Sequence, residues 1–237
     1  MAEEFEGRDL SGAVFWGVDL TGARFRDVDM HGVKISHAWL ANVDIDGLIE
    51  NVTINGVDVT QYVNERDPWF PLRAMLRPTD VDGMRTTWTA LARQWDSTIE
   101  RARDRDDEHV HTSVDGEWSL AQTLRHLVFA MDKWFSVPIL GDTSFHPIGM
   151  PNSGSVDFDW PGLDRNASPT FEEILEVRDG RVARLRNYLV TLQPSDFPRE
   201  VDILENGVTP LKDCIGVVFE EEFEHNRYAV RDLAKLT

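Results

Sequence analysis

Cysteine is almost missing from this chain: Cys214 is the single one in 237 residues. No intramolecular disulfide can form, and such usage suits a reducing cytoplasm, the expected compartment. Basic charge is also scarce, with 24 Lys and Arg against 42 Asp and Glu and a net charge of −18. That balance argues against nucleic-acid backbones, whose counterions are displaced by Lys and Arg. It argues equally against docking on an anionic membrane surface. The acidity itself reads as solubility. No apolar run reaches the roughly 18 residues a membrane span needs. The opening MAEEFEGRD has no basic region followed by an apolar one, so a signal peptide is not expected. A phosphate-cradling glycine loop, a CxxC pair and a defensible Ser-His-Asp set are all lacking.

What is present begins with a period of five. Phe5, Leu10, Phe15, Leu20, Phe25, Met30, Ile35, Leu40 and Ile45 are all apolar. Two places before each, from Ala13 to Val43, stands a second small apolar residue: Ala13, Val18, Ala23, Val28, Val33, Ala38 and Val43. Neither a helix nor a flat strand sustains that period, and a fixed repeat signals a solenoid. The register slips near Gly47, after which the centres are Ile49, Ile54 and Val59.

The units resemble the pentapeptide-repeat family, with Asp or Asn often just before the central apolar residue. The resemblance covers about residues 3–60 and implies a right-handed quadrilateral β-helix whose central residues point inward. Val at the small position and Phe at several centres depart from the family pattern. Twelve centres give about three coils, a stub of roughly 15 Å. So short an array buries little by itself and needs capping, which the following domain is expected to supply at one end. Residues 1–60 hold 11 acids and 4 bases. The array is nevertheless too short to imitate much duplex DNA, so a docking or structural role is expected of it.

The rest of the chain reads as helices. The expected boundaries are a repeat unit at 1–62, a linker at 63–78 rich in Pro and charge, and a helical domain at 79–237. The first helix is expected over about Val81–Arg103, with Thr79 as N-cap and Trp88, Leu91, Trp95 and Ile99 on one face. Ser119 with Gln122, and Thr170 with Glu173, have capping-box spacing and open the second and third helices. The last is expected to start at Thr209 with Pro210 at its first turn. Between the second and third lies a long stretch, Leu140–Ser168, whose length marks it as functional and whose Phe145, His146, Phe158 and Trp160 suggest packing on the helices. Four helices with one long crossover predict a four-helix bundle.

Chemistry concentrates in EEEFEHNRYAVRDL, Glu220–Leu233. Glu221 and His225 are four apart and project from one helix face. His126 sits inside the apolar second helix. Two histidines and a carboxylate form a facial set suited to zinc, iron(II) or nickel. Each feature also has a plainer reading, a solvated acid–His pair and a satisfied core histidine.

GEWSLAQTLRHLVFAMDKW and EEEFEHNRYAVRDL resemble the two signature helices of the DinB-like superfamily, over about residues 80–236. The whole chain is therefore expected to be an α+β two-part protein, a short β-helix followed by a DinB-like four-helix bundle. The resemblance implies a three-ligand metal site. Its first ligand matches His126 and the second His of a His-x-x-x-His pair matches His225, while Glu221 stands where that pair has its first His. Glu222 becomes the alternative ligand if the helix is turned by one position. Many members are thiol S-transferases that hold mycothiol or bacillithiol as thiolate on the metal. The resemblance thus implies a thiol cosubstrate, a small electrophile as substrate, and mycothiol from the two-part arrangement. Bundles of this kind often dimerise, which allows a homodimer without fixing an interface. The rival expectation is a non-catalytic scaffold that has lost its metal.

Two further residues are candidates for binding substrate. His146 could reach over the mouth of the site as a proton donor. Arg227, with Arg231, could fork onto a carboxylate, or both could join an ion-pair ladder with Glu224. Asp132 and Lys133 read as surface charges, Cys214 as a small buried hydrophobe, and Trp118 as an anchor for the start of the second helix.

Overall fold

The structure, a computed structural model, describes every residue except 1, 2, 6, 26, 27, 106, 153, 154, 156, 157, 204, 205 and 237. The chain divides into two compact units, Met1–Asp46 and Gly47–Thr237. In the first, the period of five survives as recurring turns. Backbone φ is positive at Gly7, Gly12, Gly17, Gly22, Gly32, His37 and Asn42, each five or ten residues from the next. Leu10–Ala13, Leu20–Ala23 and Met30–Val33 close i to i+3 hydrogen bonds of 2.9, 3.0 and 3.2 Å. The residue at i+2 is glycine in all three, as a type II turn requires. Asp9, Asp19 and Asp29 accept from the main-chain N–H two residues on, at 2.8–2.9 Å. These Asx contacts explain why Asp recurs at that place.

The expected β-helix is not carried further than its corners. No strand occurs among the described residues of 1–46. The apolar centres from Leu10 to Ile45 remain 44–72% exposed. A few repeats give each centre too few neighbours to close a core, which is the general weakness of a short array.

The second unit opens with a two-strand hairpin, β1 (Thr53–Ile54) and β2 (Val57–Asp58), then two short helices, α1 (Thr60–Asn64) and α2 (Phe70–Arg73). The stretch expected as a linker therefore carries structure. Arg73 and Leu76 are buried, and Trp69 and Leu72 pack on the main core. Both expected boundaries, at 62 and 78, fall inside this unit.

Its long helices are α3 (Val81–Arg103), α5 (Leu120–Met131), α6 (Phe171–Thr191) and α7 (Leu211–Lys235); the short α4 (Asp107–His111) precedes α5. The domain thus has seven α-helices among its described residues, four of them long. α3 packs on α6 and α7, and α5 packs on the same two, so the four form a ring ordered α3–α6–α5–α7. The capping boxes at Ser119/Gln122 and Thr170/Glu173 are both formed. The cap of α3 is Asp80, accepting from Gly83 N at 2.7 Å, and not Thr79. Thr209 belongs to a second hairpin, β3 (Glu200–Asp202) with β4 (Val208–Pro210), so α7 begins only at Leu211. The core is built from Met84, Trp88 and Leu91 of α3, Leu185 and Leu189 of α6, and Leu211, Ile215, Val218 and Phe219 of α7. Trp88 stacks on Phe219 at 6.0 Å.

α5 continues into a π-helical turn, Asp132–Ser136, in which Val137 N donates to Asp132 O at 3.0 Å. Asp132 and Lys133 on this turn are buried, at 0% and 8% exposure, against the expectation that both lie on the surface. Asp132 receives the Arg181 guanidinium at 3.1 Å and the His146 main-chain N–H at 2.8 Å. The long loop packs on α5 through an aromatic cluster of Phe129, Phe145 and Trp160. Gly162 makes that packing possible: a Cβ there would stand 2.7 Å from the Phe145 carbonyl oxygen. No helix among the described residues is long and apolar enough to cross a membrane.

Candidate metal centre

His126 stands on the inward face of α5, and Glu221 and His225 stand one turn apart on α7. Glu221 Oε2 lies 3.3 Å from His126 Nε2 and 3.1 Å from His225 Nε2. One donor atom from each residue lies within 4.8 Å of the others. Two donors about 2.1 Å from one ion stand about 3.0 Å apart at octahedral angles and about 3.4 Å at tetrahedral ones. Both contacts to Glu221 fall inside that range.

The loop fixes the chemistry of His126. Its Nδ1–H donates to the Met150 carbonyl at 3.0 Å. Loop and helix are held together beside it, Met150 N donating to Arg125 O (3.1 Å) and Arg125 Nε to Ile148 O (2.8 Å). With the proton committed to Nδ1, a neutral His126 turns a lone pair at Nε2 toward the carboxylate. Two lone-pair donors so close repel unless a proton or a cation lies between them. An outer carbonyl that orients a histidine in this way is the usual companion of a metal ligand. With protons on the facing ring nitrogens instead, the hydrogen bonds from His126 and His225 outweigh the upward push of burial and hold the Glu221 carboxyl well below the usual carboxylate range. No Arg contacts Glu221 among the described residues.

Glu222, the alternative ligand, is engaged elsewhere. It takes a fork of two hydrogen bonds, 2.8 and 2.6 Å, from Arg178 of α6, and both residues are buried. Arg178 also lies 4.7 Å over the Trp95 ring, and Trp95 Nε1 donates to Glu222 O at 3.0 Å.

The two substrate-binding candidates do not join this cluster. Arg227 is about 200° around α7 from His225. It pairs with Glu224 at 2.7 Å and lies 5.6 Å from the Phe223 ring, so the local ion pair wins over an open fork. Arg231 engages Asp232 and Glu117 and not Glu224. His146 lines an open cleft of about 500 Å³ that none of His126, Glu221 and His225 lines.

Aromatic rings surround the cluster, and the sequence gives a role to Trp118 alone among them, as a helix anchor. Trp118 stacks on His225 (6.0 Å, 21°) and lies 4.8 Å from His126. Tyr228 meets His225 edge-on at 6.2 Å, and Phe129 lies 6.1 Å from His126. The position of Trp118 just before the Ser119 cap signals an anchor. Nothing in its local pattern shows that its ring covers two histidines on different helices.

Comparison with known families bears on the helical unit and on the repeats. The family model of the DinB superfamily matches residues 90–229. The chain belongs to the DinB superfamily. A second model, for pentapeptide repeats, matches eight copies over residues 9–47. No curated protein and no solved structure gives a significant match. Within this DinB domain, Cys214 is 0% exposed and its thiol is pushed up to about 11, chiefly by burial. At neutral pH about one molecule in ten thousand then carries thiolate. Labelling of the folded protein by a thiol-reactive disulfide is expected to run at least about 100-fold slower than in denaturant. Comparable rates would show Cys214 to be accessible and reactive.

Proposed function

We propose that this DinB domain holds one divalent metal on His126, Glu221 and His225 and transfers a low-molecular-weight thiol, of the mycothiol or bacillithiol type, to a small electrophile. Membership of the superfamily supports the divalent-metal part of this reading. The observation that carries it further is the tautomer of His126: the Met150 carbonyl holds its proton at Nδ1 and frees Nε2 to face a carboxylate.

A divalent ion in such a setting lowers the pKa of a bound thiol and supplies thiolate at neutral pH. The residues of the chain do the rest. Glu221 contributes the one negative charge of the donor set, and the two neutral imidazoles leave the assembly cationic toward an incoming thiol. Trp118, Tyr228 and Phe129 wall the donors and restrict water, which strengthens every charge interaction inside. The buried Cys214 is unsuited to act as nucleophile, so the attacking sulfur belongs to the cosubstrate.

Cobalt(II)-loaded protein titrated with a small cysteine thiol tests the reading. A thiolate-to-cobalt charge-transfer absorption is expected to grow and saturate, and the serine analogue is expected to give none. A spectrum unchanged by the thiol would contradict thiol presentation at this centre.

A further inference from the structure

The cleft lined by Gly141–Pro147 with Arg181 and Arg184 of α6 lies apart from the donor cluster of Glu221. Its volume, about 500 Å³, is that of a small-molecule site. It is lined by hydrogen-bond donors that have no protein acceptor among the described residues. Arg184 gives Asp142 one bond from each terminal nitrogen, at 2.6 and 2.8 Å, which leaves its Nε–H and a second hydrogen on each of those nitrogens. Arg181 gives the buried Asp132 its Nε–H and one Nη2 hydrogen, which leaves Nη1 unused. His146 Nδ1 accepts from Ile148 N at 3.4 Å, so the neutral ring carries its proton on Nε2, with no acceptor among the described residues. The hydroxyls and main-chain N–H groups of Thr143 and Ser144 have no acceptor among the described residues either. Both nearby carboxylates, Asp132 and Asp142, are engaged by the guanidinium groups.

We infer that this cleft is a second binding site, for a small molecule that presents an oxyanion, a carboxylate or a phosphate, to Arg181, Arg184 and His146. Arginine forks match the geometry of both anions. The two Asp partners hold the guanidinium groups in place, and Asp132 in turn fixes His146 through its main-chain N–H. Burial, and then the nearby Arg181, hold the His146 imidazole below its ordinary range. It therefore serves as a neutral donor. Asp132, fully buried on the π-helical turn, links the cleft to the end of α5. The site is independent of any metal on His126.

The test uses metal-free full-length protein labelled with ¹⁵N, titrated separately with inorganic phosphate and with acetate. Saturable shifts are expected at the Nε–H of Arg181 and Arg184 and at the amides of Thr143–His146, and the anion that saturates at lower concentration identifies the class. Arg184→Gln is expected to weaken binding about tenfold or more. His146→Phe, which leaves every charge in place, is expected to weaken it several-fold. Spectra of both variants that keep the wild-type dispersion exclude unfolding as the cause. Shifts that never saturate with either anion, or the same affinity in both variants as in wild type, would overturn the proposal.

Discussion

Arg178→Ala is expected to lower the unfolding free energy by about 3–5 kcal/mol, the range for removing one partner of a buried ion pair. The alanine leaves the Glu222 carboxylate at 1% exposure with its charge uncompensated in the middle of the bundle. It also removes the cation from the face of Trp95. For a unit of this size the loss corresponds to roughly 6–20 °C in melting temperature. Replacing both partners, as Arg178→Met with Glu222→Leu, is expected to cost far less, because no charge is then buried alone. Urea unfolding of the two singles and the double measures this as a cycle. A loss below about 1 kcal/mol in Arg178→Ala would mean that the pair is solvated and that Glu222 is free to serve as a ligand after all.

The second large effect concerns the ligands. A divalent ion at a hundred times its dissociation constant stabilises the folded state by about 2.7 kcal/mol. Zinc is therefore expected to raise the melting temperature of wild type by roughly 5–11 °C. His126→Ala, Glu221→Ala and His225→Ala should each abolish most of that rise, with metal affinity reduced by more than about 100-fold, beyond what loss of an orienting partner alone produces. Arg227→Ala should leave it intact, since Arg227 faces Phe223 and Glu224 on the other side of α7. Equal rises in all five proteins would place the metal elsewhere.

The sequence disclosed features that depend on spacing along one element. Glu221 and His225 share a face because they are four apart on a helix, and the capping boxes at Ser119 and Thr170 declare their own helix starts. The period of five in the repeat array was legible for the same reason, since each of its turns is closed by residues within a few positions. Features that depend on a distant partner were hidden. Spacing favours Glu221 over Glu222 without excluding the second, and Arg178, 44 residues away, is what separates the buried ion pair from the candidate ligand. The tautomer of His126 is set by a main-chain carbonyl 24 residues on, which no side-chain pattern can announce. Asp132 and Lys133 defeated the reading because this end of α5 is covered on every side, and the partners that receive Asp132, Arg181 and the His146 main chain, lie 49 and 14 residues away. The linker read from Pro and charge turned out to pack, because Arg73 meets Glu224 and the Phe223 ring of α7, and Trp69 and Leu72 join the main core.

The central claim is that His126, Glu221 and His225 form a metal site, and metal content tests it most directly. Tag-free wild type, exposed in turn to zinc, nickel and anaerobic iron(II) and then freed of excess, should retain close to one ion per chain. His126→Ala and His225→Ala, confirmed as folded by circular dichroism, should retain almost none. Wild type that retains no ion under any of these conditions would contradict the account, and would mark the domain as a binding module built around a metal-free His–Glu–His cluster.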